Sequence, residues 1–212
     1  MASTPLAGAA PHPRRLVIAS GNPGKLREFT ALLADLPLAI EAMPAGLEIE
    51  ETGSSFAENA RIKAIAVAQA TGQWALADDS GLSVTALGGA PGVHSARYAA
   101  TDAARIARLL GELAEAELDA KAKGMGCDRS AQFTAALAVA NPAGEVIVEV
   151  EGHCPGLILT APRGTGGFGY DPIFYVPEAG LTFAEMDKAS KGRLGHRGRA
   201  INDLMQRLDA IV

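Results

Sequence analysis

Cysteine is scarce in this chain: Cys127 and Cys154 are the only two in 212 residues, far apart and in no metal or redox spacing. That excludes a disulfide scaffold and a thiolate metal centre, and it points to reduced thiols in a cytoplasmic protein. Basic charge is also short. Lys and Arg total 19 against 24 Asp and Glu, a net charge of −5. A general nucleic-acid binder needs a basic surface and is excluded on that balance; a local basic pocket for a small polyphosphate is not. No apolar run is long enough to span a bilayer, so no membrane partner is expected. Residues 1–14 are rich in Ala and Pro and lack the charged start and apolar block of a secretory signal. They read as a flexible extension. What the chain does have is 48% apolar residues, ample for a sizeable core in one domain, or one domain of two lobes, over 15–212.

The densest chemistry lies in Ala77-Asp78-Asp79-Ser80-Gly81. Two adjacent carboxylates end the apolar run Trp74-Ala75-Leu76-Ala77, which reads as a buried strand. Neighbouring buried carboxylates repel unless a cation or a proton resolves the conflict. The usual resolution is a divalent metal, or a water activated beside one. Ser80 adds a small hydroxyl, and Gly81 lets a ligand approach the backbone. By itself the segment also reads as a strand end turning through Asp and Gly.

Leu16-Val17-Ile18-Ala19 is a second short strand signal. Ser20-Gly21-Asn22-Pro23-Gly24-Lys25 follows at once, then Leu26, Phe29, Leu32, Leu33 and Leu36 at helical spacing. A strand, a glycine-bearing loop and a helix start aim backbone N–H groups at one point, which suits a phosphate. It is not a Walker P-loop, which needs four residues between its glycines and Ser or Thr after the Lys. A plain strand-to-helix turn accounts for the segment equally. Further on, the Ser55–Glu58 spacing predicts a capped helix start and Gly72 its stop. Asn59 and Lys63 share one face of that helix, just after the acidic loop Glu48–Gly53. They fit either a ligand or a solvated face.

Leu82-Ser83-Val84 predicts a strand after Gly81, and a third helix is expected from Thr101-Asp102 through Leu113, with Glu115–Lys123 as a solvated tail or loop. Alternation over Ala131–Val139 and a return from Val146 predict a β-hairpin. Gly164-Thr165-Gly166-Gly167-Phe168-Gly169 contains G-x-G-x-x-G, but the extended Ile173–Val176 follows where a dinucleotide fold needs a helix. Such a glycine-dense loop suits a flat ring approaching the backbone, with Phe168 stacking, or a mobile loop with aromatic anchors. Thr182–Glu185 repeats capping-box spacing. Lys191–Arg199 is strongly basic, and a last helix carries Ala200, Ile201, Leu204, Met205, Leu208 and Ile211 on one face. His196-Arg197 at its N-terminus opposes the helix dipole unless an anion or ligand uses it.

Taken in order, these segments resemble the noncanonical purine nucleoside triphosphate pyrophosphatases, the inosine/xanthosine triphosphate pyrophosphatase family. The resemblance is carried by Ser20–Lys25, Glu50–Gly53 with Phe56, Glu58, Asn59, Ala60 and Lys63, Ala77–Gly81, Leu87–Gly92, Ser95–Tyr98, Gly166–Pro172, Ser190-Lys191 and His196–Gly198. It runs from Leu16 to the C-terminus. It implies an α/β fold: an elongated mixed β-sheet flanked by helices, in two lobes with the active site in the cleft between them. It also implies Mg²⁺, a homodimer, and hydrolysis of XTP, ITP and dITP to the monophosphate and pyrophosphate.

By position in that family, Ser20, Gly21, Asn22, Pro23, Gly24 and Lys25 grip phosphate together with Lys63. Glu50 and Asp79 hold the metal. Asp79 is the catalytic carboxylate, with Asp78 supporting it and Lys63 beside them. Asn59 and Ser80 are further substrate contacts. Phe168 stacks on the base, whose edge is read by Gly169, Tyr170, Asp171, Lys191, His196 and Arg197. Two other readings stand beside this one. A Maf-type nucleotide pyrophosphatase is disfavoured by His196-Arg197. A nucleotide sensor without turnover is disfavoured by Asp78-Asp79 with Lys63.

Overall fold

The computed structural model describes residues 14–210. The expected extension lies outside them except for Arg14, and Ile211 lies outside them too. Arg14 is not part of a tail: it opens the first strand, with its guanidinium 4.0 Å over the Trp74 ring.

The chain runs β1 (Arg14–Ile18), α1 (Pro23–Leu32), β2 (Leu38–Ala42), α2 (Phe56–Thr71), β3 (Trp74–Val84), α3 (Asp102–Ala122), β4 (Ser130–Ala140), β5 (Val146–Ile158), β6 (Phe174–Val176), β7 (Leu181–Thr182), α4 (Lys188–Leu194) and α5 (His196–Asp209). One seven-stranded sheet has the order β2-β1-β3-β4-β5-β6-β7. Its β2, β1 and β3 are parallel, and the rest pair antiparallel. This is the expected mixed sheet flanked by helices. Among the described residues no helix is long and apolar enough to cross a membrane.

The core sits on both faces of the sheet. Phe29 and Leu33, near and just past the end of α1, and Ala200, Ile201, Leu204 and Leu208 of α5 cluster with Leu16, Ile18, Leu76 and Leu137. On the opposite face the small residues Ala60, Ala64 and Ala68 of α2 meet Ala75, Ala77, Ala136 and Ala138, which lets helix and sheet approach closely. A third cluster lies toward the far ends of β3 to β5, where α3 contributes Leu109 and Leu113, and Phe174 of β6 and Phe183, just past β7, pack on Phe133. Cap chemistry fixes the helix starts as read. Ser55 Oγ accepts from Glu58 N, and Gly72 takes φ +65° at the stop of α2. The α3 helix runs on through Glu115 to Ala122, so that charged stretch is helix and not loop. Thr182–Glu185 starts no helix. The Glu185 carboxylate accepts from Thr182 N at 2.8 Å and pairs with Arg163, and the helix begins later, at Lys188, capped by Asp187.

The largest departure from expectation is β3. It does not end at the carboxylates. It is one strand of 11 residues with Asp78 and Asp79 in its middle. The cause is β4, which pairs without a break from Ala75↔Ala140 to Val84↔Ala131. Gly81 is therefore no turn. A Cβ there would meet Ser95 Oγ at 2.6 Å and Phe56 Cε1 at 2.7 Å, so glycine is required by close approach. Side chains alternate along a strand, so Asp78 and Asp79 point to opposite faces of the sheet.

Candidate active site

β1 pairs with β3 only as far as Ile18↔Leu76, closed by Ala19 N donating to Leu76 O at 2.8 Å. Beyond that point no strand covers the β1-side edge of β3 until Ser83 bridges to Pro91, which leaves a gap at Asp78–Gly81, at the carboxyl end of parallel strands where the connections diverge to either face. Open α/β sheets bind ligands at such points. The Ser20–Lys25 loop turns there. Asn22 caps α1, its side-chain oxygen accepting from Gly24 N at 2.8 Å, and Ser20 Oγ accepts from Asn22 N at 3.1 Å. Gly21, Asn22 and Pro23 are exposed, while Ser20, Gly24 and Lys25 are half-buried.

On the α1/α5 face, Asp78 has a side chain only 1% exposed, 2.6 Å from Lys25 Nζ and 3.5 Å from Arg197 Nη2. Ser80 Oγ donates to its other oxygen. Burial alone would raise this carboxyl, but Lys25 and Arg197 hold it far below the usual carboxylate range. Arg197 also pairs with Glu28 at 3.1 Å. Asp78 and Glu28 are the anions that its unfavourable place at a helix N-terminus called for.

His196 stacks on Phe133, centroids 4.8 Å apart. Its Nδ1 and Arg197 Nε are buried with no hydrogen-bond partner among the described residues. Burial, then the neighbouring Arg197 charge, push the imidazole down to about 3. An unfolded histidine titrates near 6.5, so between those values the unfolded chain takes up a proton that the folded chain refuses. Stability should therefore fall as pH drops from 6.5 toward 3. His196→Phe should flatten that limb in urea titrations at stepped pH. An unchanged slope would assign the proton to another group.

On the α2 face, Asp79 accepts from Asn59 Nδ2 at 3.1 Å and lies 3.2 Å from Lys63 Nζ. Asn59 is fully buried, and its oxygen accepts from Gly53 N at 2.8 Å, tying the acidic loop to β3. Lys63 Nζ also reaches the Asp78 carbonyl at 2.9 Å and Glu51 Oε1 at 2.7 Å. Glu51 Oε2 in turn takes Arg97 at 3.1 Å. Burial, opposed by Lys63 and supported by Glu51, raises the Asp79 carboxyl. Burial would lower Lys63, but Asp79 and Glu51 outweigh it and hold the ammonium charged. Glu50 is exposed and makes no ion pair or hydrogen bond among the described residues. The carboxylate engaged with Lys63 is Glu51, which the sequence reading passed over.

Magnesium takes hard oxygen ligands, one or two carboxylates with phosphate and water completing the shell. Among the described residues no group of three His, Cys, Asp or Glu is gathered for a metal. Asp79 by itself meets the sparser requirement of one carboxylate. Asp79 carries a charge that burial and Glu51 disfavour, as a carboxylate awaiting a cation would.

The glycine-rich loop leaves the Phe168 ring 65% exposed, with Lys191 Nζ 5.2 Å from its centroid. Asp171 is buried, accepts from Phe168 N at 2.9 Å and pairs with Lys191. A Cβ on Gly167, at φ +74°, would fall on the Asp171 carboxylate. Tyr170 is buried and donates its hydroxyl to Ser95 O at 3.0 Å. The loop and the Asp78 face are contiguous in charge, since Lys191, Lys25 and Asp78 all bear on His196 and Asp171 bears on Arg197.

Among known proteins, a Ham1 family model matches residues 16–207. The dITP/XTP pyrophosphatase of Parasynechococcus marenigrum is 63% identical over 187 residues, 88% of this chain and 91% of that protein. That of Gloeobacter violaceus is 53% identical, over 91% of this chain and 93% of that protein. A HAM1 protein structure from Coxiella burnetii superposes with a TM-score of 0.84 at 44% identity, covering 93% of this chain and 99% of that one. The match spans every segment just described, and the chain belongs to the Ham1 family.

Proposed function

We propose that this chain is a hydrolase that splits noncanonical purine nucleoside triphosphates, XTP, ITP and dITP, into the monophosphate and pyrophosphate. The observation that carries the reading is the gap in the edge of β3 between Leu76, where β1 stops, and Ser83, where Pro91 takes over. Asp78 with Lys25 and Asp79 with Lys63 flank it from opposite faces, so a polyphosphate lying along the edge meets both lysines. The named activity of close relatives supports it.

In this reading Lys25, Lys63 and the Ser20–Gly24 backbone hold the phosphates. Asp79 would hold Mg²⁺, with Glu50 of the acidic loop as the second carboxylate that the resemblance implies; the ion when bound offsets phosphate charge and brings phosphate and water oxygens together. Asp79 accepts the proton of the attacking water. The water oxygen bonds to the α-phosphorus as the bond from phosphorus to the bridging oxygen breaks, and pyrophosphate leaves. Lys63 and Lys25 stabilise that developing charge in place. Asp78 and Asn59 hold the geometry on either side. Hypoxanthine and xanthine offer an acceptor at position 6 where adenine offers a donor. In this reading His196, Arg197 and Lys191 read that edge, Ser80, Gly169, Tyr170 and Asp171 frame the ligand, and Phe168 stacks on the ring. The same proposal includes two lobes flanking a cleft, a cytoplasmic location and a homodimer; light scattering on the purified protein tests the last.

Pyrophosphate release from ITP, XTP, dITP, dUTP, GTP and ATP, measured side by side, tests the substrate class. ITP, XTP and dITP should lead by a wide margin. EDTA should abolish turnover and added Mg²⁺ restore it; turnover unaffected by EDTA would remove the metal. Arg197→Ala should narrow the ITP-to-ATP ratio of kcat/KM by about tenfold, the size of one charged hydrogen bond. An unchanged ratio would take Arg197 out of base selection.

A further inference from the structure

We infer that Asp102, at the start of α3, is a positioning residue that fixes the base-binding loop and so governs purine affinity; the inference rests on reading Phe168 and its neighbours as the base site. An acidic first-turn residue serves a helix dipole without further purpose. This one does more. Its Oδ2 accepts from Gly169 N at 2.7 Å, a bond across 67 residues of chain. Its Oδ1 takes Arg105 Nη1 at 2.7 Å, and Arg105 Nε donates to Ala99 O at 3.0 Å. The carboxylate is thus clamped in one orientation before it meets the loop.

Loop geometry explains why that matters. The Phe168 ring is 65% exposed, so side-chain packing does not hold it. Its direction is set by the backbone on either side. Phe168 N is held by Asp171, and Tyr170 is held through its hydroxyl by Ser95 O. Between them Gly169 sits at φ +61°. The peptide joining 168 to 169 carries the amide that Asp102 accepts, so Asp102 sets the plane from which the ring projects. The α3 helix is anchored by Leu109 and Leu113 in the core, which makes it a rigid reference for a loop of low packing.

The test compares Asp102→Ala and Asp102→Asn with the unaltered protein. It uses kcat and KM for ITP and ATP, inhibition by imidodiphosphate as a probe without a base, and Tm. Asp102→Ala should raise KM for ITP about tenfold, one charge-assisted hydrogen bond, with a smaller change in kcat. Imidodiphosphate inhibition should not move. Asp102→Asn keeps an acceptor for Gly169 N and should recover most of the loss. If the Ala variant does not fold, Asp102→Ser, suited to a helix start but too short to reach Gly169, carries the same expectation. An unchanged KM for ITP, equal weakening of ITP and imidodiphosphate, or an Asn variant as impaired as Ala would each overturn the inference. An unaltered protein with no preference for ITP would overturn the substrate class instead. The Asp102 effect is then read on the KM of whichever purine nucleotide turns over.

Discussion

Asp79→Asn is expected to lower kcat for ITP by about 10²–10⁴-fold, the range that losing a general base covers, while the fold stays intact. The structural half follows from the neighbours. Asparagine has the same shape and still offers an oxygen to Asn59 Nδ2. Lys63 keeps Glu51 and the Asp78 carbonyl. The folded state disfavours the Asp79 charge, through burial first and Glu51 beside it. Neutralising a disfavoured charge should leave Tm unchanged or slightly raised, as at other sites where function opposes stability. Rate and stability measured on one preparation decide the matter. Near-normal turnover would remove Asp79 from the chemistry, and a large fall in Tm would show that it serves the fold.

Much of this architecture is legible in the sequence because its signals are local. Ser55, Thr101 and Gly72 mark helix limits through contacts a few residues away. Asn22 caps α1 within the very loop read as a phosphate grip. The failures are equally physical. Asp-Asp-Ser-Gly carries turn residues, and only the distant β4 shows that they lie mid-strand. The separation of Asp78 from Asp79 onto two faces was hidden for the same reason. That Glu51 is the carboxylate meeting Lys63 follows from the path of an irregular loop, and no periodicity supplies that. Thr182 and Glu185 do exchange hydrogen bonds, but they close a turn after β7 with no helix behind it. Arg197 stands out in the sequence by its opposition to the helix dipole, yet its partners Asp78 and Glu28 come from the other half of the chain. Asp102 was hidden because its local role, starting a helix, is satisfied by sequence alone.

Asp78→Ala should destabilise the protein by about 3–5 kcal/mol, the cost of breaking a buried ion pair from one side. Asp78 is the hub between three elements: β3 carries it, Lys25 comes from α1 and Arg197 from α5. Its removal leaves Lys25, Arg197 and the unpartnered Arg197 Nε facing one another beside a neutral buried His196. Glu28 remains as partial compensation for Arg197, though not for Lys25. Removing the stranded cation as well should therefore help. The double variant Asp78→Ala with Lys25→Met should be more stable than Asp78→Ala alone, although each change is harmful in the unaltered protein. That non-additivity is what contact between the two sites requires. Urea unfolding of the four proteins in the cycle measures it. Additive effects, or an Asp78→Ala variant within about 1 kcal/mol of the unaltered protein, a typical surface-pair value, would mean that the ion pair does not join α1 to β3. The double variant should remain without useful turnover even where its stability recovers, because Lys25 is placed here in the phosphate grip. Stability regained without activity would separate the two roles of the Asp78 face, holding the helices and holding the substrate.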